Sequence, residues 1–240
     1  MENKSKLIKI ALAAVVVIVV VLALVYYYQQ QGIIKIFPTT QERQLSQRLT
    51  IDRSKFAPAE GLTNEKFEET IGQLTELKQQ ITKDLKNQKL WFQFGYLKEF
   101  LNDHAGAVAA WEVAYSLQSE DFVVSQNLAN VYQYFIKDYA KAEYYYEQAL
   151  RAKPDYTAAY QGLADLYRFN YKEKSSSFEP TMLKAISKDP LNKVTYYSYL
   201  VEFFVGNKDL VLAKKYLAEV VKLDAKVAQS LKENNPELVK

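Results

Sequence analysis

The hydrophobic pattern along the chain changes character twice. From Ile10 to Tyr28 every position is uncharged (IALAAVVVIVVVLALVYYY), and twelve of the sixteen positions from Ile10 to Val25 are Ile, Leu or Val. Such a helix has no polar face, which argues against a soluble amphipathic element, and a buried strand of about 4 to 8 residues is too short to account for it. At a rise of about 1.5 Å per residue the stretch is about 28 Å long, close to the roughly 30 Å hydrocarbon thickness of a bilayer. At roughly −0.3 to −0.6 kcal/mol per residue the insertion free energy sums to about −4 to −7 kcal/mol. In lipid each backbone amide needs an internal partner, which forces the helical state despite the valines. The pattern predicts a transmembrane helix over residues 10–28, with Tyr26, Tyr27 and Tyr28 at the headgroup level.

A cleaved secretory signal also begins with lysines and an apolar stretch, but its apolar region is about 7 to 15 residues long and ends in a small-residue site. Here Ala23-Leu24-Val25 runs into three tyrosines and three glutamines. An uncleaved anchor is therefore expected. Lys4, Lys6 and Lys9 precede the span and Lys35, Arg43 and Arg48 follow it, so basic counts tie; their density favours the N-terminus inside. The rest of the chain would then lie outside the cytoplasm, as in a protein of a bacterial inner membrane.

Residues 29–62 lack sustained periodicity and read as a linker, with a helical turn or two near Leu45 and Leu49. As a coil it averages about 30 to 35 Å end to end. Its apolar patch, Ile33, Ile34, Ile36 and Phe37, is suited to resting at a lipid surface. Helical periodicity then begins. Phe67, Ile71, Leu74, Leu77, Ile81 and Leu85 share one face of a helix from Asn64 to Lys86, with Thr63 or Asn64 as N-cap.

Beyond it the pattern repeats. Ala107, Ala142 and Ala213 each stand four residues before a large side chain (Trp111, Tyr146, Leu217), and Ala114, Ala149 and Val220 stand three further on. A third copy keeps Met182 and Ala185 but has Phe178 at the small position. Each copy has an upstream helix with Gly95, Ala129, Ala164 or, breaking the rule, Leu200. Small residues let paired helices approach, a large one fills the gap, and proline ends the pair.

These beats resemble the tetratricopeptide repeat, W-x2-L-G-x2-Y followed by A-x3-F, a further alanine and a closing proline. WFQFGYLKEF from Trp91 with AVAAWEVA from Ala107 matches in register. NLANVY from Asn127 precedes AKAEYYYEQALRAKPD from Ala140, and GLADLY from Gly162 precedes LKAISKDPLN from Leu183. A fourth copy, YSYLVEFF then LAKKYLAEVVKLDA, is degenerate; Pro154 and Pro190 hold the closing position. The expected fold is all-α, a transmembrane helix followed by an α-solenoid of about four repeats. Its layout is a cytoplasmic segment 1–9, the span 10–28, the linker 29–62 and a leading cap helix 63–87. Repeats occupy 88–121, 122–156, 157–192 and 193–227, with a cap or tail at 228–240, where Val227 and Leu231 hint at a short closing helix.

The resemblance implies a concave groove lined by the second, fifth, ninth, twelfth and thirteenth positions of each first helix. Those positions are Lys89, Phe92, Tyr96, Glu99 and Phe100, then Gln126, Asn130, Gln133 and Tyr134. Copy three supplies Gln161, Asp165, Arg168 and Phe169; copy four, to within one residue of register, Tyr197, Val201, Phe204 and Val205. Grooves of this family that clamp a C-terminal carboxylate carry lysine at the fifth position. Phe92, Gln126, Gln161 and Tyr197 stand there instead, and only Asn130 matches the clamp. An aromatic and amide-rich wall suits an extended or helical peptide with apolar anchors.

Composition narrows the function further. About 210 residues remain after the span, enough for a sizeable core. The first 28 residues hold three lysines and one glutamate, so the remaining basic and acidic residues differ by one charge, no footprint for nucleic acid. With one histidine, His104, and no cysteine, a zinc or iron site is not expected, and His104 after Asp103 reads as an exposed turn residue. No two glycines fall within ten residues of each other, which leaves no phosphate cradle. Glu143 and Glu147 share a helix face with Lys141 and Arg151 beside them, and Ser175 to Ser177 have no base nearby. The expectation is a non-enzymatic, cofactor-free scaffold that binds proteins or peptides, with no small-molecule substrate. Self-association as a structural subunit is the alternative.

Overall fold

The computed structural model describes residues 2–31, 40–56 and 61–239 and divides the chain into two units, Met1–Gln47 and Arg48–Lys240. The first unit holds α1 (Glu2–Gln30) and α2 (Thr40–Gln47). The side chains of α1 are described for residues 14 to 28, where the branched residues from Val15 to Leu24 are each 48 to 60% exposed. Among the described residues no helix is long and apolar enough to cross a membrane. The patch Ile33, Ile34, Ile36 and Phe37 lies outside the described residues.

The second unit is all-helical among the described residues. It opens with a 3-10 turn, Arg53–Lys55, whose cap Asp52 accepts from the Ser54 backbone N–H (3.1 Å) and hydroxyl (2.6 Å). The linker expected over 29–62 is therefore shorter: from Arg48 onwards the chain joins this unit. Leu49 and Phe56 are buried, and the Arg48 guanidinium donates to the Ala109 carbonyl (3.0 Å) and to Glu112 (3.2 Å). Two isolated apolar residues anchor the segment without producing any period.

Polar side chains set the starts of most helices in this unit. Helix α3 (Asn64–Lys83) starts where Thr63 Oγ1 accepts from the Lys66 N–H and buries Ile71, Leu74 and Ile81. It ends three residues before Lys86, because the Asp84 N–H turns back onto the Gln80 and Ile81 carbonyls. The next helices form antiparallel pairs: α4 (Gln88–Phe100) with α5 (His104–Leu117), then α6 (Phe122–Val131) with α7 (Tyr139–Ala152). Helix α8 (Thr157–Asp165) meets α9 (Phe178–Lys188), and α10 (Lys193–Gly206) meets α11 (Leu210–Leu223). Asp103, Asp138 and Asp209 cap the second helix of copies one, two and four, each accepting a backbone N–H from the first turn. Before them Asn102, Lys137 and Lys208 adopt φ of 60°, 63° and 61°, the left-handed turn that reverses the chain.

Copies two and three carry π turns at Tyr132–Ile136 and Leu166–Asn170. In copy two the cause is arithmetic. Gly95 stands eight residues before Asp103, whereas Ala129 stands nine before Asp138, and a π turn absorbs one surplus residue without breaking the helix. Leu200 likewise stands nine residues before Asp209, and it and the following Val201 are both fully buried.

Close approach is what the glycines allow. A β-carbon at Gly95 would lie 2.5 Å from Trp111 Nε1, and one at Gly162 would run into the Tyr146 ring. Trp91 and Trp111 are fully buried in the first repeat, donating to the Leu85 and Phe92 carbonyls at 2.9 and 3.0 Å. Phe178, at the position where the repeat pattern calls for a small residue, stacks on Phe203 with centroids 4.1 Å apart. The stack closes with α12 (Ala225–Asn234) and a 3-10 turn at Pro236–Leu238. This closing helix begins three residues before the boundary expected at 228, because Asp224 ends α11 and caps α12 at once.

Candidate interaction groove

The first helices α4, α6, α8 and α10 lead into aromatic residues at their C-terminal ends, and those ends hold most of the expected groove. Tyr96 is 58% exposed, Phe100 39%, Tyr134 48% and Phe169 60%, which leaves part of each ring accessible to a partner. Lys89 and Gln161 are exposed; Phe92, Glu99, Gln126, Asn130, Asp165, Arg168, Tyr197 and Val205 are half-buried. Neighbouring copies are linked through these residues. The Tyr134 hydroxyl donates to Asp165 at 3.4 Å, and Arg168 pairs with Glu202 at 3.2 Å. Burial and the Asp165 charge raise the Tyr134 pKa above its ordinary value, so the ring is neutral around neutral pH.

Gln133 and Phe204 are corrections: they are 1% and 8% exposed and face the interior of the stack. Both stand five residues before the capping aspartate of the next helix, as Lys98 does in copy one, and all three are buried. At these two positions of copies two and four the groove register counted from the start of the helix fails, and the cap of the next helix sets the rotation. Val201, fully buried, also offers a ligand nothing. By the same count Phe135 is the counterpart of Phe100, and it is half exposed.

Phe135 and His104 form a contact that the sequence did not suggest. His104 is the first residue of α5, half-buried rather than an exposed turn residue, and its ring stacks on Phe135 at 3.7 Å. Its Nδ1 lies 2.8 Å from Glu99. Among the described residues no group of three His, Cys, Asp or Glu is placed to hold a metal ion.

An amide network underlies the aromatics. Gln126 donates to Asn130 (3.1 Å) and Gln133 to Asn170 (2.8 Å), while the Tyr146 hydroxyl lies 2.6 Å from Gln133 Oε1 and 2.9 Å from Asn130 Oδ1. That hydroxyl has one proton and serves one of the two acceptors fully. Burial, with the Tyr134 and Asp165 charges, raises its pKa. The Gln126 carbonyl oxygen is buried with no hydrogen-bond partner among the described residues, an acceptor left over. Lys98 and Asp103 form a buried ion pair at 2.5 Å, with Phe56 and Phe94 each 5.5 Å from the ammonium. Exposed aromatics over an amide network provide contact area and hydrogen bonding; among the described groove residues no nucleophile stands beside a base.

Helix pairs with small-to-large contacts, stacked between a leading and a closing helix, define an all-helical solenoid of the tetratricopeptide-repeat type. No family model and no curated protein matches the chain. Among solved structures it is similar to MamA from Desulfovibrio magneticus RS-1 (41 to end), with 22% identity and a TM-score of 0.52 over 78% of this chain and 94% of that one. Another MamA crystal structure is 16% identical with a TM-score of 0.52, covering 70% and 98% of the two chains. YrrB, described as a TPR protein with an unusual peptide-binding site, is 20% identical with a TM-score of 0.47 over 66% and 84%. At these identities the likeness is one of fold.

Proposed function

We propose that the chain is a membrane-anchored interaction scaffold whose groove binds peptide segments of other envelope or membrane-complex proteins. The observation that carries this reading is the recurrence of an exposed aromatic at the end of successive first helices: Phe100, Tyr134 with Phe135, and Phe169. Rigid aromatic side chains supply large contact area at low entropic cost, and clusters of them on a protein surface mark interaction sites. Two of the groove's charged side chains are already engaged, Glu99 with the His104 ring and Arg168 with Glu202. No cofactor or catalytic residue enters this reading.

The anchor is proposed from the uncharged run 10–28, supported by the exposed valines of α1. Confinement to a membrane raises the effective concentration of partners in the same membrane. The proposed orientation has the N-terminus inside a bacterial inner membrane and the repeats outside. Washing isolated membranes at alkaline pH should leave the chain in the pellet; release into the supernatant would remove the anchor. Protease added outside spheroplasts should then digest the repeats and spare the first residues.

Affinity capture from native membranes tests the groove, comparing the wild type with a Tyr96→Ala, Phe100→Ala, Tyr134→Ala variant. All three side chains are exposed, so the fold is expected to survive. Loss of specific partners supports the groove, and identical partners for both proteins reject it. Self-association is the second reading. The outer residues of α12, Lys226, Gln229, Ser230 and Glu233, are exposed and polar, so end-to-end stacking gains little apolar burial there. A regular homo-oligomer in detergent, formed through the leading end or the linker, would support this second reading.

A further inference from the structure

The interaction-module reading leaves the ligand's chemistry open, and a cleft at the leading end of the stack narrows it. Helices α3 and α4 enclose about 560 Å³, within the range of small-ligand and anchor pockets. One wall is Gln73, Glu76, Leu77 and Gln80 of α3; the other includes Phe92 and Tyr96 of α4. From Gln73 to Gln80 the wall runs two helical turns, about 10 Å, enough to accept two successive anchor positions of a helical ligand.

Among the described lining residues Glu76 is the one charged side chain. Its hydrogen-bond partner is the neutral amide of Gln80, at 3.2 Å. The next carboxylate along the same face, Glu69, is already paired with Lys66 at 2.9 Å and accepts from Gln73 at 3.0 Å. An apolar cleft with a single carboxylate compensated only by an amide is complementary to an apolar side chain next to a cation. It repels a ligand carrying an acid at that place.

We propose that this cleft seats the anchor of a basic, amphipathic segment of the partner protein. Leu77, Phe92 and Tyr96 take a bulky apolar side chain, and Glu76 pairs with a lysine or arginine one turn away on the ligand. The proposal rests on the chain being a protein-binding module.

Three short peptides, acetylated and amidated, provide the test. They are identical amphipathic helices with a tryptophan anchor and differ only four residues away, where they carry lysine, glutamine or glutamate. Binding to the full-length chain in lipid nanodiscs is followed through a fluorophore on the peptide. The lysine peptide should bind about five- to tenfold tighter than the glutamate peptide, with glutamine between. Glu76→Gln should shrink that spread to about twofold or less, while Leu77→Arg and, independently, Tyr96→Ser should weaken all three peptides. Leu77 is half-exposed and Tyr96 exposed, so both variants are expected to fold, which a helical melting curve checks. Equal binding of the three peptides, an unchanged spread in Glu76→Gln, or no binding of any peptide would overturn the proposal. Native partners lost with Tyr134→Ala but retained with Leu77→Arg would also overturn it, while leaving the groove reading intact.

Discussion

Two glycines on neighbouring helices have opposite tolerances. Gly95 sits against Trp111, where an added β-carbon would lie 2.5 Å from the indole nitrogen, inside any allowed contact. Gly72 has nothing within 4 Å of the same added atom and stands in the middle of α3. Gly95→Ala should therefore cost about 2 to 3 kcal/mol by overpacking, and Gly72→Ala should add about 0.5 to 1 kcal/mol by reducing the freedom of the unfolded chain. Urea unfolding of both variants checks the signs, and a neutral Gly95→Ala would mean that Trp111 repacks freely. Lys98 offers a second case. Its ammonium is buried against Asp103 and close to Phe56 and Phe94, so Lys98→Met leaves the carboxylate of Asp103 buried without its cation. The expected loss is about 3 kcal/mol, measured in the same unfolding experiment.

At the scale of elements, the surplus residue between Ala129 and Asp138 is the distinctive feature. Deleting Ile136 restores the spacing that copy one has between Gly95 and Asp103, so the π turn should revert to an ordinary helix end. The deletion is expected to keep the helical circular dichroism and a cooperative melt, at a cost below about 2 kcal/mol, the ordinary range for a single change outside the core. Loss of folded structure would show that the π turn is required rather than accommodated. The pairing of helices was legible in the sequence, because small and large residues recur at fixed spacing and that spacing is what brings two helices together. Less legible was the rotation of each final turn. One inserted residue turns everything after it by about 100° around the helix axis, which is how Gln133 came to point inwards and Phe135 outwards. The anchoring of the segment around Leu49 and Phe56 left no trace, since two contacts far apart in sequence make no period.

Across the repeat unit the copies are joined by tyrosine hydroxyls donating to carboxylates. Tyr132 bonds Glu112 at 2.8 Å, Tyr167 bonds Glu143 at 2.7 Å, and Tyr216 bonds Glu179. Burial raises the pKa of each, and the accepting carboxylate raises it further. Tyr115 and Tyr145 are pushed up to about 12, chiefly by burial. The unfolded chain loses these protons near pH 10 and the folded chain only near pH 12. Their contribution to stability is thus complete below about pH 10 and is lost as the pH rises towards about 12. Helical signal and the late part of the tyrosinate absorbance should change together in an alkaline titration; ionisation of the buried rings with the helices intact would refute this. The same seams couple one copy to the next, so stability is expected to be shared along the stack rather than confined to one pair.

Both tryptophans of the chain, Trp91 and Trp111, lie in the first repeat and are fully buried. Intrinsic emission is therefore a local gauge of one end of the repeat array, while ellipticity averages over its whole length. If the two traces separate on heating, the array unzips from one terminus; if they superimpose, it melts as a single cooperative block.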